Sequence, residues 1–243
     1  MAPVEPGESS ATGENRLLSA LSNAGFGKLE SELEVAEYES GSILYEPYEP
    51  AQFVYFPFSC VVSIVNTVAG GSTVEVGTVG NEGMAGIAVY LDSGVTPNRT
   101  LVQVPGRMAR LSAASFKAIA EQSPEVRKVI NRYTLAFLAQ VSQTAACNRA
   151  HTIDERCARW LLMTHDRVVG DSFSLTHEFL AFMLGVRRAG VTIAAGILQK
   201  AGHISYKRGR IKIIDRKGLE EAACDCYEVV SREFEKLLGA HAG

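Results

Sequence analysis

The sequence predicts an α+β fold in three parts: an N-terminal β-barrel or jelly roll, a long helix, and a C-terminal winged helix-turn-helix domain. Three observations carry that expectation. Residues 35–111 hold short β-rich runs broken by turn residues, residues 123–148 contain no internal helix breaker, and residues 174–214 read as helix, turn, helix and basic hairpin. With 243 residues, 47% of them hydrophobic and 21% charged, the chain is long enough for a proper core and two domains.

Residues 1–14 are rich in Pro, Gly, Ser, Ala and Glu without periodicity, which predicts a disordered lead. Leu17, Leu18, Leu21, Phe26, Leu29 and Leu33 follow a weak amphipathic pattern and predict short helices. From Val35 the period changes. Strands are expected at 43–45, 53–56, 61–67, 73–79, 87–91, 101–104 and 108–111, with breaks at Gly41, Pro47, Pro50, Pro57, Gly70-Gly71, Gly80, Gly94, Pro97 and Gly106.

Residues 112–122 predict a short helix. Ser123-Pro124-Glu125 then makes a strong helix start, with a capping hydroxyl, proline in the first turn and an acid at the positive end of the dipole. Along that helix Val126, Ile130, Tyr133 and Phe137 alternate by four, three and four, a seam suited to a partner helix. The same face would also suit packing on the chain's own barrel, and Val129, Leu135, Leu138 and Val141 offer further apolar surface. A hinge is expected at 149–152 and a helix at 153–168, which carries the single tryptophan, Trp160.

Thr176 is placed to cap a helix with apolar Phe179, Leu180, Met183 and Leu184, and Gly185 supplies a tight turn into a second helix over about 187–201. Val191, Ile193, Ala194, Ile197 and Leu198 are expected to face the core, and Gly202 sits where a left-handed cap belongs. Segments 203–206 and 210–214 predict two strands joined through Lys207, Arg208 and Gly209, and a final helix is expected over 217–238.

Charge is polarised along the chain. The net charge is only −3, yet residues 174–217 hold nine Lys or Arg against Glu178 and Asp215, while residues 1–110 hold five Lys or Arg against thirteen Asp or Glu. A basic tip with a helix start and a hairpin suits DNA phosphates and major-groove edges. Arg187 and Arg188 are the candidates for base-edge or phosphate contact, and Thr192 lies one turn on. Thr176 and His177 would meet phosphate at a helix start, and Lys207, Arg208 and Arg210 would hold the flanking backbone. Gly190 inside a short helix is unfavourable by roughly 0.5–1 kcal/mol against alanine; close approach to the DNA backbone is one reason for it.

These residues resemble the Crp/Fnr superfamily of bacterial transcription regulators. The matching segments are ERCARWLL from Glu155, the Thr176–Arg188 run with its Leu-Gly-Val-x-Arg end, Gly202-His203-Ile204, FVYFPFSCVVSIV from Phe53 and VGTVGNEGMAG from Val76. The resemblance implies a cyclic-nucleotide-binding-like barrel, a dimerisation helix and a DNA-binding domain. The expected parts are a lead (1–14), an effector-sensing barrel (15–122), a dimerisation helix and hinge (123–150), a winged helix-turn-helix domain (151–219) and a C-terminal helix (220–243). Val126, Ile130, Tyr133 and Phe137 become dimer candidates, and a symmetric dimer implies a palindromic operator with half-sites about one helical turn apart. Where the family commonly has Ser, Arg and Glu at the recognition-helix start, this chain has Arg187, Arg188 and Ala189, so an acceptor for a cytosine amino group is lost.

The family's cyclic-nucleotide pocket needs Gly-Glu for the ribose and Arg-Ser or Arg-Thr for the phosphate. Here Gly86 precedes Ile87, and Arg99-Thr100 stands slightly further on. Isoleucine accepts no hydrogen bond, and a buried hydroxyl left unpaired costs about 1–3 kcal/mol. Gly86, Arg99 and Thr100 are the effector-site candidates, and the expected effector is a small molecule other than a cyclic nucleotide. A cyclic-nucleotide-responsive regulator is the alternative. An iron-sulfur cluster of the kind some family members carry would need cysteines near the N-terminus, and none precedes Cys60.

No metal or other cofactor is expected. The five cysteines, Cys60, Cys147, Cys157, Cys224 and Cys226, are scattered, and two cysteines two apart on a helix would point to different sides. A metal-dependent barrel enzyme needs histidines inside the barrel, but the first histidine is His151. GxSxG, HExxH and a phosphate-binding Gly-Lys loop are missing too, so an enzyme is not expected. No run approaches about 18 apolar residues and the N-terminus lacks a basic-then-apolar signal, which predicts a cytoplasmic protein without membrane association. The expected partners are double-stranded DNA, a second copy of the chain, a small-molecule effector, and RNA polymerase if the regulator activates. A rival reading is a small-molecule-binding module whose helix-turn-helix contacts protein.

Overall fold

The computed structural model describes residues 14–26, 31–68 and 73–238. Most of the expected lead, and Leu29 of the N-terminal pattern, lie outside the described residues. The chain divides into two compact units: one of residues 1–64, 78–137 and 234–243, the other of residues 65–77 and 138–233.

In the first unit, helix α1 (Arg16–Asn23) starts at Asn15, whose Oδ1 accepts from the Leu18 amide at 2.8 Å. Its Nδ2 donates to the Pro57 and Gly83 carbonyls at 2.8 and 2.9 Å, so one buried amide caps the helix and ties it to the barrel. Leu17, Leu18, Leu21 and Phe26 are all buried.

Seven strands follow: β1 (Glu34–Tyr38), β2 (Ile43–Tyr45), β3 (Phe53–Pro57), β4 (Val61–Thr67), β5 (Thr73–Val79), β6 (Arg99–Val104) and β7 (Gly106–Ser112). They make a three-stranded sheet β1-β7-β3 and a four-stranded sheet β2-β6-β4-β5. In the first sheet antiparallel register sets Ala36 opposite Met108 and Tyr55 opposite Arg110. Tyr45, Tyr55, Val62, Val79, Val102 and Met108, drawn from both sheets, form one buried cluster, the double-sheet core expected of a jelly roll.

Residues 87–91, expected as a strand, instead hold a single helical turn, α2 (Ile87–Tyr90). Gly86 at φ +115° turns the chain out of the extended path just before it, and only Val89 of the turn is buried.

Helix α3 (Ala113–Gln122) is capped by Ser112, and α4 runs from Pro124 to Ala150. The seam expected on α4 needs correction. Val126, Ile130 and Tyr133 are fully buried within the chain's own first unit, and Tyr133 Oη donates to the Met84 carbonyl at 2.8 Å. Gly83 is required there, since a Cβ would lie 2.4 Å from the Tyr133 ring. Phe137 packs on the barrel cluster. Leu135 and Leu138, by contrast, are 54% and 58% exposed.

In the second unit, α5 (Ile153–His165) opens with a capping box: the Glu155 carboxylate accepts from the Thr152 amide at 2.8 Å while the Thr152 side chain caps the third-residue amide. Trp160 Nε1 donates to Glu75 Oε1 at 2.9 Å, which satisfies the buried indole. Then come β8 (Ser172–Ser174), α6 (His177–Leu184), α7 (Arg188–Lys200), β9 (Ile204–Lys207), β10 (Arg210–Ile213), α8 (Arg216–Ala222) and α9 (Cys226–Leu238). The wing is a three-stranded antiparallel sheet, β8-β10-β9, and its outer strand β8 went unread in the sequence.

Helix α7 buries Val191, Ala194, Ala195 and Leu198 against α5 and α6. Ile193 and Ile197, expected in the core, are 65% and 50% exposed. The single helix expected over 217–238 is two helices, broken at Ala223, Cys224 and Asp225, with Asp215 Oδ1 capping the first at the Gly218 amide, 3.0 Å away.

Candidate nucleic-acid interface

The turn between α6 and α7 is built from local chemistry. Thr176 Oγ1 accepts from the Phe179 amide at 3.1 Å and so starts α6, and Gly185 at φ +63° ends it. The two helices meet at 107°, within the range of a helix-turn-helix. Arg187 is the cap residue of α7 and makes no side-chain capping bond. Arg187, Arg188 and Thr192 are exposed, as are Lys207, Arg208 and Arg210 of the wing. At the wing tip Arg208 and Gly209 have φ +52° and +75°, the left-handed pair of a tight two-residue hairpin turn.

Other features at this end were not legible beforehand. The outer face of α7 presents Ala189, Ile193, Gly196 and Ile197 beside Arg188 and Thr192. That face is poor in hydrogen-bonding groups and rich in methyls. Gln199 Oε1 accepts from the Tyr206 amide at 2.7 Å and fixes the wing to α7.

Two expected contacts are occupied inside the fold. His177 Nδ1 lies 3.1 Å from Thr192 Oγ1, and the imidazole stacks on Tyr206 with ring centroids 4.2 Å apart. Thr192 donates its own proton to the Arg188 carbonyl at 3.0 Å, so it accepts from His177, whose Nδ1 carries the hydrogen. His177 therefore holds α6, α7 and the wing together rather than standing free at the surface. Burial, and then the nearby Arg188 charge, lower its pKa from 6.5. Arg216, one of the nine basic residues, bonds Asp166 at 2.7 Å and Glu220 at 2.9 Å. Gly190 has a packing reason: a Cβ there would lie 3.1 Å from Ile153 Cδ1 of α5.

The effector candidates separate in space. A cavity of about 120 Å³ in the first unit is lined by Tyr45, Ile64, Met84, Gly86, Thr100 and Phe137, among others. It is smaller than the roughly 300–1,000 Å³ of sites for drug-sized ligands. Gly86 and Thr100 line it, but Arg99 does not, and its Nε is 2.8 Å from Glu46 Oε2. Tyr45 Oη donates to the Phe53 carbonyl at 2.7 Å and stands where a Gly86 Cβ would be, 2.7 Å from it.

One grouping was missed entirely. Cys147, His151, Cys224 and Cys226 place a sulfur or ring nitrogen each within 4.8 Å of all the others. The helix argument against Cys224 and Cys226 fails because Cys224 lies in the break before α9, where the backbone can aim both sulfurs to one point. The other two members are Cys147, in the last turn of α4, and His151, just past the end of that helix, whose amide donates to the Cys147 carbonyl at 3.1 Å.

Residues 155–222 match the family model described as a Crp-like helix-turn-helix domain. No curated protein matches the chain significantly in sequence. Among solved structures, the chain is similar to a putative transcriptional regulator of the Crp/Fnr family from Eubacterium rectale, at 18% identity and TM-score 0.64, covering 84% of this chain and 94% of that one. It is similar to FixK2 from Bradyrhizobium japonicum, at 17% identity and TM-score 0.64, covering 79% and 98%. It is also similar to a putative cAMP-binding regulatory protein from Silicibacter pomeroyi, at 22% identity and TM-score 0.62, covering 88% and 96%. Among the described residues, no single helix is long and apolar enough to cross a membrane.

Proposed function

We propose that the chain is a Crp/Fnr-type transcription regulator, working as a homodimer that reads an inverted-repeat operator through the start of α7 and the β9–β10 wing. The observation that carries this reading is the exposed Arg187-Arg188 pair at the N-terminus of a helix set at 107° to its partner, beside a wing tip bearing Lys207, Arg208 and Arg210. Arginine at such a helix start can bond guanine N7 and O6 together, and the wing cations suit the flanking phosphates. The absence of a carboxylate at Ala189 and the methyl-rich outer face of α7 favour a target read through guanine and thymine edges.

Dimerisation is supported by Leu135 and Leu138 on α4, large apolar side chains that are 54% and 58% exposed. For the barrel, a small-molecule effector other than a cyclic nucleotide is favoured. Ile87 follows Gly86 where the family's cyclic-nucleotide motif has Glu, Arg99 is paired with Glu46, and Tyr45 fills the space above Gly86.

Selection of binding sites from a random duplex pool with the purified chain tests the reading. Enrichment of an inverted repeat supports the dimeric regulator. Retention of DNA without enrichment makes the specific state dependent on an effector and the barrel cavity the next target. No retention at low salt overturns DNA binding in favour of a protein-contact role. Calorimetric titration with cyclic AMP and cyclic GMP tests the effector: tight binding of either would restore the cyclic-nucleotide alternative.

A further inference from the structure

We propose that Cys147, His151, Cys224 and Cys226 form a closed, structural Zn²⁺ site that fastens the end of α4 to the break between α8 and α9. The four donor atoms converge from two places far apart in sequence. Cys147 stands in the last turn of α4 and His151 just past its end, the His151 amide donating to the Cys147 carbonyl at 3.1 Å, while Cys224 lies in the bend before α9 and Cys226 is the first residue of α9. Cys147 Sγ is 3.5 Å from Cys224 Sγ, and Cys226 Sγ is 3.5 Å from His151 Nδ1. Around zinc with Zn–S of about 2.3 Å and Zn–N of about 2.0 Å, tetrahedral ligand atoms stand about 3.5–3.8 Å apart. All four atoms lie within 4.8 Å of one another, so the arrangement encloses room for a single ion and not for a cluster of several irons and sulfides.

The donor set and its surroundings select the ion. Three thiolates and an imidazole in a tetrahedral array favour zinc over magnesium or calcium, which take oxygen ligands. His151 turns Nδ1 toward the sulfurs while its Nε2 lies 3.5 Å from Asp225 Oδ1, the carboxylate–histidine arrangement that orients a metal-bound imidazole. Gln143 Nε2 donates to Cys226 Sγ at 3.1 Å, a further bond to a ligand sulfur.

The charge also closes. Three thiolates, one neutral imidazole and one dication leave a net charge of −1. Arg156 and Arg159 lie buried beside the site, and the Nε of each is buried without a hydrogen-bond partner. Arg159 Nη2 donates to Thr144 Oγ1 at 3.1 Å, which sets that guanidinium on the turn of α4 that carries Cys147. Binding releases the three thiol protons to solvent and changes no oxidation state. All four positions are filled by protein, so the site has no opening for substrate and serves to hold the fold together.

The test uses the full chain purified under reducing conditions without chelator. Elemental analysis is expected to find one zinc per chain. Replacement by Co²⁺ is expected to give the intense visible bands of tetrahedral cobalt with a thiolate-to-cobalt charge-transfer band. Cys224→Ser and Cys226→Ser are expected to lose the metal, while Cys60→Ser, altered in the barrel, keeps it. Asp225→Asn keeps all four ligands and is expected to weaken zinc affinity roughly 10–100-fold in a chelator competition. That variant and the wild-type cobalt spectrum decide the matter even if the cysteine variants fail to fold. Metal-free protein that takes up no Co²⁺, full zinc content in the Cys224 and Cys226 variants, or a Cys147–Cys224 disulfide in the reduced preparation would each overturn the site.

Discussion

His177 Nδ1 lies 3.1 Å from Thr192 Oγ1 and the same imidazole stacks on Tyr206, so a single ring ties the first helix of the helix-turn-helix to the recognition helix and the wing. That arrangement works with the neutral ring, because Nε2 is buried without a partner and a proton there would have nothing to bond. Burial and the neighbouring Arg188 lower the His177 pKa from 6.5. The folded state therefore binds this proton less readily than the unfolded chain. Its stabilising contribution is present above pH 6.5 and is lost as pH falls through the lowered value. Denaturant unfolding of wild type and His177→Gln at descending pH should show a smaller acid-side loss in the variant. Equal losses would mean that His177 is not the group responsible.

Arg188 and Arg208 should fail in different ways. Arg188→Ala is expected to weaken the selected site by about 1–3 kcal/mol and relax sequence preference, whereas Arg208→Ala should weaken all duplexes about equally. Parallel binding curves on selected and scrambled duplexes separate the two, and unchanged selectivity in Arg188→Ala would place the base-reading register elsewhere on α7.

Gly185 combines φ +63° with a hypothetical Cβ only 2.7 Å from Val74 Cγ2. Gly185→Ala should destabilise the chain by at least the 1–3 kcal/mol of a strained left-handed residue. Adding Val74→Ala should recover the steric part and leave the backbone part. Urea midpoints of the three variants report the split, and full recovery by Val74→Ala would show that the backbone cost is negligible.

The two apolar sets on α4 should separate fold from assembly. Ile130 is fully buried, so Ile130→Ala is expected to destabilise the folded chain by about 2–5 kcal/mol. Leu138, 58% exposed, should tolerate Asp without loss of fold, and if α4 carries the proposed dimer interface Leu138→Asp should sediment as a monomer where wild type sediments as a dimer. A dimer that survives both Leu135→Asp and Leu138→Asp places the interface elsewhere.

The helix-turn-helix and its hairpin were legible because their signals are local. Thr176 caps within three residues, Gly185 and Gly202 take the left-handed conformations their positions demand, and Arg208-Gly209 turns the wing within two residues. What failed depends on long range. The alternation Val126, Ile130, Tyr133, Phe137 reports an apolar stripe but cannot say whether its neighbour is a second copy or the chain's own Gly83 and Met84. The faces of α7 were misjudged at Ile193 and Ile197 for a related reason: apolar character was read as burial on a helix whose outer surface is itself apolar. The Cys147–Cys224 approach spans 77 residues, and its only local cue, a helix break at Ala223–Asp225, carries neither glycine nor proline.

The most direct test of the central claim is the affinity for a selected duplex measured across a salt series. If α7 and the wing grip the backbone through Arg187, Arg188, Lys207, Arg208 and Arg210, the logarithm of affinity should fall steeply and linearly with the logarithm of salt. Arg208→Ala should reduce that slope by about one. A flat salt dependence, or a slope unchanged on removing the wing cations, would contradict the account.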